Sequence, residues 1–277
     1  MALDYTVKYA EKIDERHTAV GVTSALMNGD YEFTGAKTIK VTSVTTVPQA
    51  DYNRTTGYKA LTPIENETQE MTMKIDREFT ALLDKMDEEE TKIKAGEVLA
   101  RQLREVTIPE IEKYRLVKMI EAATANSNTV TSSAKLYANI LAMQEKMDDE
   151  FVPDVGRVLL VTPATLNLLK QEQDFIVASN LAQEMLIKGQ VGEIDGVAIV
   201  KVPKKWMTGL GSDGTTTYTA KAILLHKSAM VSPIKLAEYK VFDSAENQTH
   251  SGTKFLGRIY YDAFVLNNKK AGIVALV

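Results

Sequence analysis

Histidine, the side chain most often used for proton transfer near neutral pH, occurs at three separate places in this 277-residue chain. His17, His226 and His250 lie in different segments, with no metal-ligand spacing between them. The chain has no cysteine, which excludes disulfides, thiolate metal sites and a cysteine nucleophile. The HExxH, GxSxG and Walker A patterns are also absent. We therefore expect no catalytic, cofactor or metal site, and we do not expect an enzyme.

Two sequences resemble ligand sites but lack the required context. Gly209–Gly214 (GLGSDG) has glycines near the dinucleotide spacing, but threonines and a strand follow it. Because no helix N-terminus follows to hold a phosphate, a solvated hairpin loop is the better interpretation. The acidic run Asp87–Glu90 cannot converge on one cation, since consecutive helical side chains point about 100° apart. We interpret it as the solvated start of a helix.

A small basic patch consists of Lys201, Lys204 and Lys205 beside Trp206. It could contact nucleic acid, but a surface loop anchored by the tryptophan is favoured. The net charge of −4 is carried by the stretch 84–90, which holds five acidic residues and one lysine, so the rest of the chain is balanced. No domain-wide field attracts DNA or anionic lipid. No apolar run approaches the roughly 18 residues of a membrane-spanning helix, so no membrane partner is expected.

The most distinctive elements are two long polar strands, Lys37–Val47 and Glu67–Phe79, on either side of a polar loop. Their apolar residues alternate with polar ones, which predicts a β-ribbon with one moderately apolar face. An isolated two-stranded ribbon is marginally stable in water, so we expect another copy of the chain to cover it. The apolar residues of this face are Ile39, Val41, Met71, Met73 and Ile75.

The remaining pattern is mixed α and β. An amphipathic helix over residues 3–20 precedes the ribbon as an arm. Helical spacing follows from Asp84 to about Val106, and Thr107 with Glu110 matches a capping box that restarts a helix ending near Asn126. The segments after this helix are predicted as helices at Ser133–Glu150, Thr162–Lys170 and Leu181–Ile187, as buried strands at Arg157–Val161, Gly196–Val202 and Ala222–His226, and as a β tail from Ile234 to Val277.

The order of these elements resembles the major capsid proteins of tailed bacteriophages, which have the Hong Kong 97-type fold. The resemblance covers essentially the full length. The segments that carry it are Phe33–Val41 (FTGAKTIKV), Asp51–Arg54 (DYNR), Asp76–Thr91 (DREFTALLDKMDEEET), Ile108–Met119 (IPEIEKYRLVKM), Gly156–Leu169 (GRVLLVTPATLNLL) and Gly257–Ile273 (GRIYYDAFVLNNKKAGI).

The resemblance implies an α+β phage major capsid (Hong Kong 97-type) fold with four parts. Residues 1–36 are expected to form an N-terminal arm and residues 37–80 an extended β-hairpin loop that reaches over a neighbouring subunit. Residues 81–132 and 231–277 are expected to form a peripheral domain, with a long spine helix at Pro109–Asn126. Residues 133–230 are expected to form an α/β axial domain. The candidate contacts between subunits are Asp51, Arg54, Lys59, Glu65, Glu67, Met71, Met73 and Ile75.

The function implied is that of a structural shell protein without cofactors. Its partners would be further copies of itself in pentamers and hexamers, a separate scaffolding protein, a portal, and packaged double-stranded DNA bound without sequence specificity. It would be part of the virion and would assemble in the host bacterial cytoplasm. Two alternatives remain: an encapsulin-like compartment that encloses an enzyme, and a soluble α/β enzyme whose site the sequence does not reveal.

Overall fold

The computed structural model describes residues 21–31, 38–60, 63–86, 95–133, 135–172, 192–242 and 251–277. The expected arm helix over residues 3–20, the acidic run Asp87–Glu90 and the expected helix Leu181–Ile187 lie outside these ranges. The helices are α1 (Ala95–Gln102), α2 (Ile108–Ala125), α3 (Leu136–Asp149) and α4 (Pro163–Leu169). The strands are β1 (Thr38–Val44), β2 (Asn66–Thr72), β3 (Ile75–Asp84), β4 (Thr129–Val130), β5 (Arg157–Val161), β6 (Glu193–Ile194), β7 (Val197–Lys201), β8 (Thr208–Leu210), β9 (Thr217–Thr219), β10 (Ala222–His226), β11 (Met230–Val231), β12 (Ile234–Phe242), β13 (Gly252–Tyr261), β14 (Phe264–Val265) and β15 (Ile273–Leu276).

A six-stranded sheet with the order β4-β15-β10-β5-β7-β6 forms the centre of the molecule. Helix α2 packs on one face, where Leu116 and Ile120 meet β-strand residues such as Leu160. Helices α3 and α4 pack on the other face, where Met143 lies in the same cluster as Leu159. Strands covered on both faces read as continuous apolar runs, and this is why the three buried strands and their flanking helices were predictable. The three strands and two helices are confirmed, and β5 and β10 are buried as predicted, whereas Ala198 and Lys201 of β7 are exposed.

A second sheet of three long antiparallel strands, in the order β12-β13-β3, extends from this centre. All ten residues of β3 pair with β13, from Ile75 opposite Tyr261 to Asp84 opposite Gly252. Gly257 lies opposite Phe79, and a Cβ atom at Gly257 would come within 2.1 Å of the Phe79 ring. Because Gly257 has no side chain, the Phe79 ring can lie directly over it.

The long strand expected over Glu67–Phe79 is two strands, which is a correction. Its first part belongs to β2, which pairs with β1 from Thr38 opposite Thr72 to Val44 opposite Asn66. Its second part belongs to β3 in the three-stranded sheet. The chain passes from one sheet to the other at Met73 and Lys74, so the alternating pattern continues through a change of pairing partner.

The helical region also differs from the prediction. Asp84 ends a strand and is not helical, Lys85 and Met86 are helical as predicted, and helix α1 begins at Ala95 after residues outside the described ranges. No capping box interrupts it at Thr107, whose side chain makes no cap hydrogen bond and whose backbone is helical. Instead a π-helical turn over Leu103–Thr107 joins α1 to α2. Proline in a helix interior lacks a hydrogen-bond donor and clashes with the carbonyl group four residues earlier, and the wider π turn accommodates Pro109.

The last strand, β15, returns to the central sheet, between β4 and β10. Both β4 and β15 come from the segments assigned to the peripheral domain, 81–132 and 231–277, whereas β5 and β10 come from the segment assigned to the axial domain. The boundaries at 132/133 and 230/231 therefore do not separate two sheets. Short-range patterns could not reveal this, because the β15 partners are more than 40 residues away in the sequence.

Candidate assembly surface

The β1–β2 ribbon is packed on its own subunit at the end that holds Ile39 and Met71, which we call the root of the ribbon. Met71 and Met73 are both 0% exposed and form a cluster with Val231 and Leu266. Ile39 and Val41 of β1 pack against the same cluster. The expectation that this apolar face lacks a core within the chain is therefore wrong, and Met71 and Met73 have no surface to offer a neighbour. Ile75 is partly buried against a different cluster, with Ile111, Ile259 and Tyr261.

An amide side chain fixes the register of the ribbon against the body. Gln69 Nε2 donates to the carbonyl oxygen of Val265 at 2.8 Å, and Gln69 Oε1 accepts from the backbone N–H of Asn267 at 2.9 Å. From the same segment, Asn268 Nδ2 donates to Ser43 Oγ on β1 at 2.5 Å. Each strand of the ribbon is thus hydrogen-bonded to the segment that precedes β15.

The junction between ribbon and body is held by buried Asp262, which is 4% exposed. Asp262 Oδ2 accepts from the backbone N–H of Lys74 at 2.9 Å, and its Oδ1 accepts from Tyr114 Oη at 2.6 Å. Tyr260 Oη donates to the carbonyl oxygen of Met73 at 2.7 Å. Burial and the Asp262 carboxylate raise the pKa of Tyr114 well above its usual range, so the phenol stays a donor. Both backbone groups at the break between β2 and β3 are therefore satisfied.

The polar candidates on the ribbon and its loop are all exposed: Asp51, Arg54, Lys59, Glu65 and Glu67. Within the described ranges none of these five side chains makes an ion pair, whereas Lys40 and Glu70 pair across the two strands at 2.5 Å. The structure places Asp51, Arg54, Lys59 and Glu65 in the loop between the strands, and Glu67 on β2 opposite Ser43, which is bonded to the body. Their assignment as contacts between subunits stays a prediction.

The loop between β1 and β2 carries an exposed pair of aromatic side chains. Tyr52 and Tyr58 meet edge to face with ring centroids 5.0 Å apart, and they are 59% and 90% exposed. Asn53 Oδ1 accepts from the N–H of Thr55 at 2.8 Å, and Gly57 has a φ of +77°. These residues form a defined turn between the two rings. Sequence reasoning singled out the loop but missed this pair, although the Asn and Gly turn residues flanked by tyrosines were a readable signal.

A buried ion pair on α2 holds the chain that leads into the ribbon. Glu112 accepts from the N–H groups of Val22 at 3.2 Å and Thr23 at 3.0 Å, while Arg115 donates to Ser232 Oγ at 2.7 Å. The Glu112 and Arg115 side chains lie 3.7 Å apart and are 2% and 4% exposed. Burial lowers the pKa of the Arg115 guanidinium. Sequence reasoning missed this pair, since both residues look like ordinary surface charges of a helix.

A groove of about 950 Å³ runs between the ribbon root, α2 and the β8–β9 hairpin. Arg77 Nε donates to Glu110 Oε1 at 2.6 Å along one wall. Ser212 of the hairpin donates to Glu121 of α2 at 2.6 Å. The groove is open, mixed in charge and continuous with the ribbon root.

The residues that could have carried other chemistry have structural roles. His226 interacts with Ser228 Oγ at 2.7 Å and with the carbonyl oxygen of Val155 at 3.0 Å. Asp213 accepts from Thr215 and Thr216 in the predicted hairpin turn, which holds the pKa of its carboxyl well below its usual range. Trp206 is buried in the core, as an anchor should be. His17 and His250 lie outside the described residues.

The described residues contain no cluster of three or more histidine, cysteine or carboxylate groups placed to hold a metal ion. In the same parts of the chain, no helix is long and apolar enough to cross a membrane.

Comparison with solved structures identifies the fold. The chain is similar to a chain of Mycobacterium phage Che8, with 15% identity over 100% of this chain and 98% of that one and a TM-score of 0.77. It is also similar to chains in the capsid of the cyanophage P-SCSP1u, with 13% identity over 98% and 92% and a TM-score of 0.78, and in the mature capsid of bacteriophage PhiM1, with 12% identity over 99% and 91% and a TM-score of 0.72. No family model and no curated protein sequence matches the chain. The predicted Hong Kong 97-type fold is confirmed by these full-length matches to phage capsid chains.

Proposed function

We propose that this chain is the major capsid protein of a tailed bacteriophage, a subunit of an icosahedral shell that encloses double-stranded DNA without reading its sequence. The observation that carries the proposal is the likeness of fold over 98% or more of the chain to phage capsid chains. At this level of identity the fold is shared and the role is inferred. The role is structural, and it uses neither a cofactor nor a catalytic residue.

The ribbon supports this role because it is built in two halves. Its root is fixed to the body through Gln69, Asp262 and the buried Met71 and Met73. The strands span about 23 Å and are hydrogen-bonded to the body as far as Ser43, and the exposed loop follows beyond them. A ribbon whose strands are fixed to the body and whose loop is exposed is suited to contact with a neighbouring copy. Such a contact joins different surfaces of two copies, which is the geometry that generates rings.

The exposed loop offers apolar and charged groups for that contact. Tyr52 and Tyr58 are placed to bury their rings against a neighbour, and aromatic side chains dominate the energy of many interfaces. Asp51, Arg54, Lys59, Glu65 and Glu67 would form ion pairs around them, which set register and partner choice more than affinity.

The wider assembly follows from the same proposal. We expect pentamers and hexamers of this chain, a separate scaffolding protein, a portal, and assembly in the host bacterial cytoplasm into a virion. Residues 1–36 would be the arm and residues 37–80 the reaching loop. Residues 81–132 and 231–277 would form the peripheral domain and residues 133–230 the axial domain, and the two domains would share the central sheet. The local confinement of the net charge fits a shell that does not bind its DNA tightly.

Sedimentation and negative-stain electron microscopy of the expressed protein test the proposal. We expect capsomers, tubes or closed particles, and nuclease-protected DNA in particles from infected cells. A bound protein as cargo would favour the encapsulin-like alternative. A uniform monomer or small oligomer under all conditions would contradict the proposal and favour the enzyme alternative.

A paired variant tests the reaching loop within that assay. Tyr52→Ser with Tyr58→Ser should leave the unfolding free energy of the subunit within about 0.5 kcal/mol, because both rings are exposed, and should sharply reduce assembly. Leu168→Ser on α4 also removes an apolar side chain that is 55% exposed, but far from the ribbon in the sequence, and serves as the control. Equal assembly of the double variant and the control would contradict the assigned role of the loop.

A further inference from the structure

A second polar surface, which the ribbon does not use, lies at the N-terminal ends of β5 and β7. There a pocket of about 440 Å³ is bordered by three carboxylates and one buried guanidinium. The Arg157 side chain is 3% exposed and pairs with Asp148 at 2.7 Å and Asp154 at 2.9 Å. The two carboxylates are themselves 58% and 88% exposed, and Asp195 adds a third. One arginine cannot neutralise three carboxylates, so the pocket keeps a negative charge.

Gln144 shows which kind of group would complete this pocket. It is 5% exposed, borders the pocket, and its Oε1 has no hydrogen-bond partner among the described residues. A buried acceptor without a donor is unfavourable, so the site lacks a donor. The carboxylates are also acceptors. A lysine ammonium group has three donors, a positive charge and no acceptor, which matches this lining.

The surroundings of the pocket are also unfavourable for the isolated subunit. Helix α3 ends in Asp148 and Asp149, followed by Glu150, although carboxylates are disfavoured at the negative end of a helix dipole. Next to them the Phe151 ring is 94% exposed and its backbone has a φ of +54°, and Val155 is 88% exposed. Burial of these two side chains against a partner would remove apolar surface from water.

The complementary surface lies at the opposite ends of the same two strands. β5 and β7 are parallel, with Val158 opposite Ala198 and Val161 opposite Lys201. Lys201 therefore lies about 13 Å along the sheet from Val197 at the pocket. Lys204 and Lys205 follow on a turn held by the hydrogen bond from Met207 N–H to the Lys204 carbonyl oxygen at 3.1 Å.

The lysines of this turn are available to a partner. Lys201, Lys204 and Lys205 are exposed, and within the described parts of the chain none of them makes an ion pair. The Trp206 side chain is buried and anchors the turn in the core, so the lysines are presented on a fixed backbone. A fixed cationic turn loses less conformational freedom on binding than a flexible one.

We propose that the acidic pocket of one copy binds the Lys204–Lys205 turn of a second copy. The proposal rests on the proposed function, and it adds a contact between central sheets to the contact made by the reaching loop. Because the two surfaces lie at opposite ends of one sheet, each copy binds one neighbour with its pocket and another with its turn. Such a head-to-tail contact closes into a ring when the rotation permits.

Charge reversal tests this contact. Asp154→Lys leaves two carboxylates against two cations in the pocket, and Lys204→Glu with Lys205→Glu sets two new carboxylates against the acidic pocket, so each change should raise the protein concentration needed for assembly at least about tenfold. The chain that carries all three substitutions should assemble at a lower concentration than the chain with Lys204→Glu and Lys205→Glu alone, because the pocket then no longer repels the acidic turn. Asp149→Lys is the matched control: it makes the same change of charge on a residue that does not border the pocket.

The outcomes separate the two proposals. If the wild type does not assemble, the proposed function fails. If the wild type assembles and both reversed variants assemble equally well, or if Asp149→Lys is equally harmful, the lysine contact is refuted. A triple variant that assembles no better than the variant with Lys204→Glu and Lys205→Glu also counts against it, as does a wild type that needs added Ca²⁺. If Asp154→Lys does not fold, Asp195→Asn removes one charge at a positive φ that asparagine tolerates, and it should weaken assembly severalfold.

Discussion

Asp262 is the residue on which the direction of the ribbon most depends, and its substitution has a calculable effect. Its carboxylate accepts from the N–H of Lys74 at 2.9 Å, from Tyr114 Oη at 2.6 Å and from the N–H of Ala263 at 2.8 Å. Hydrogen bonds to a charged group contribute about 1.5–3 kcal/mol each, and bonds that share one group are not additive. We therefore expect Asp262→Ala to lower the unfolding free energy by about 3–5 kcal/mol.

Asp262→Asn should cost less, for a geometric reason. Tyr114 can rotate its hydroxyl to suit a new partner, but the N–H groups of Lys74 and Ala263 are fixed. In either orientation of the asparagine amide, its NH₂ group faces one of these two backbone donors. One hydrogen bond is lost, so the expected cost is about 1.5–3 kcal/mol.

The assay is urea unfolding of the dissociated subunit together with hydrogen exchange of the Lys74 amide. Asp76→Asn is the control, because Asp76 is an exposed carboxylate that pairs with Arg258 at 2.5 Å, and exposed pairs contribute about 0–1 kcal/mol. In Asp262→Ala the Lys74 amide should exchange faster than in the control, measured relative to the global unfolding rate. If Asp262→Ala is as stable as Asp76→Asn and the Lys74 amide keeps its protection, the ribbon is not held by this carboxylate.

Three further predictions concern the body of the subunit. Burial, with a smaller contribution from a nearby carboxylate, raises the pKa of Tyr261 to about 12, so this tyrosine ionises first in the unfolded chain. Its contribution to the unfolding free energy should be constant at neutral pH and fall between about pH 10 and 12. Tyr261→Phe should reduce that fall in a pH series of urea titrations. Gly257→Ala should destabilise the subunit by about 1–3 kcal/mol, and Phe79→Ala in the same chain should relieve part of the clash; two unrelieved, additive losses would contradict this packing. Arg115→Leu should cost about 3–5 kcal/mol because it leaves Glu112 buried without its cation, whereas adding Glu112→Gln, which removes the charge and keeps an acceptor for the N–H groups of Val22 and Thr23, should recover part of that stability; a single variant as stable as the wild type would contradict the buried pair.

The parts of the fold that follow from local pattern were predictable from the sequence. The apolar runs Arg157–Val161 and Ala222–His226 are strands because helices cover both faces of the central sheet. The alternation in β1 and β2 likewise predicted a ribbon. These patterns report how a segment is buried and need no knowledge of its partner.

The errors arose where a distant partner decides the structure. Strand β3 continues to Asp84 because residues 80–84 pair with residues 252–256, whereas the sequence pattern placed the end of the strand at Phe79 and the start of a helix at Asp84. The break at Met73 and Lys74 is made by hydrogen bonds from Tyr260 and to Asp262, far along the chain. The alternating pattern does not change at this point, so no local signal marks it.

The candidate assembly surface was also predictable only where the local sequence determines it. Composition and turn residues identified the loop and its charged residues, including Asp51, Arg54 and Lys59. The burial of Met71 and Met73 depended on Val231 and Leu266, which the sequence does not place beside them. The charged loop residues therefore stay predicted contacts, whereas Met71 and Met73, predicted with them, are buried within the subunit.

We propose that each copy binds its neighbour through the loop of the ribbon, and a reconstruction of assembled particles by electron cryomicroscopy would show this contact. We expect a shell in which Tyr52 and Tyr58 are buried against an adjacent copy, while Met71 and Met73 stay packed within their own subunit. A shell in which both tyrosines face solvent, or a protein that forms no shell under any condition, would contradict it.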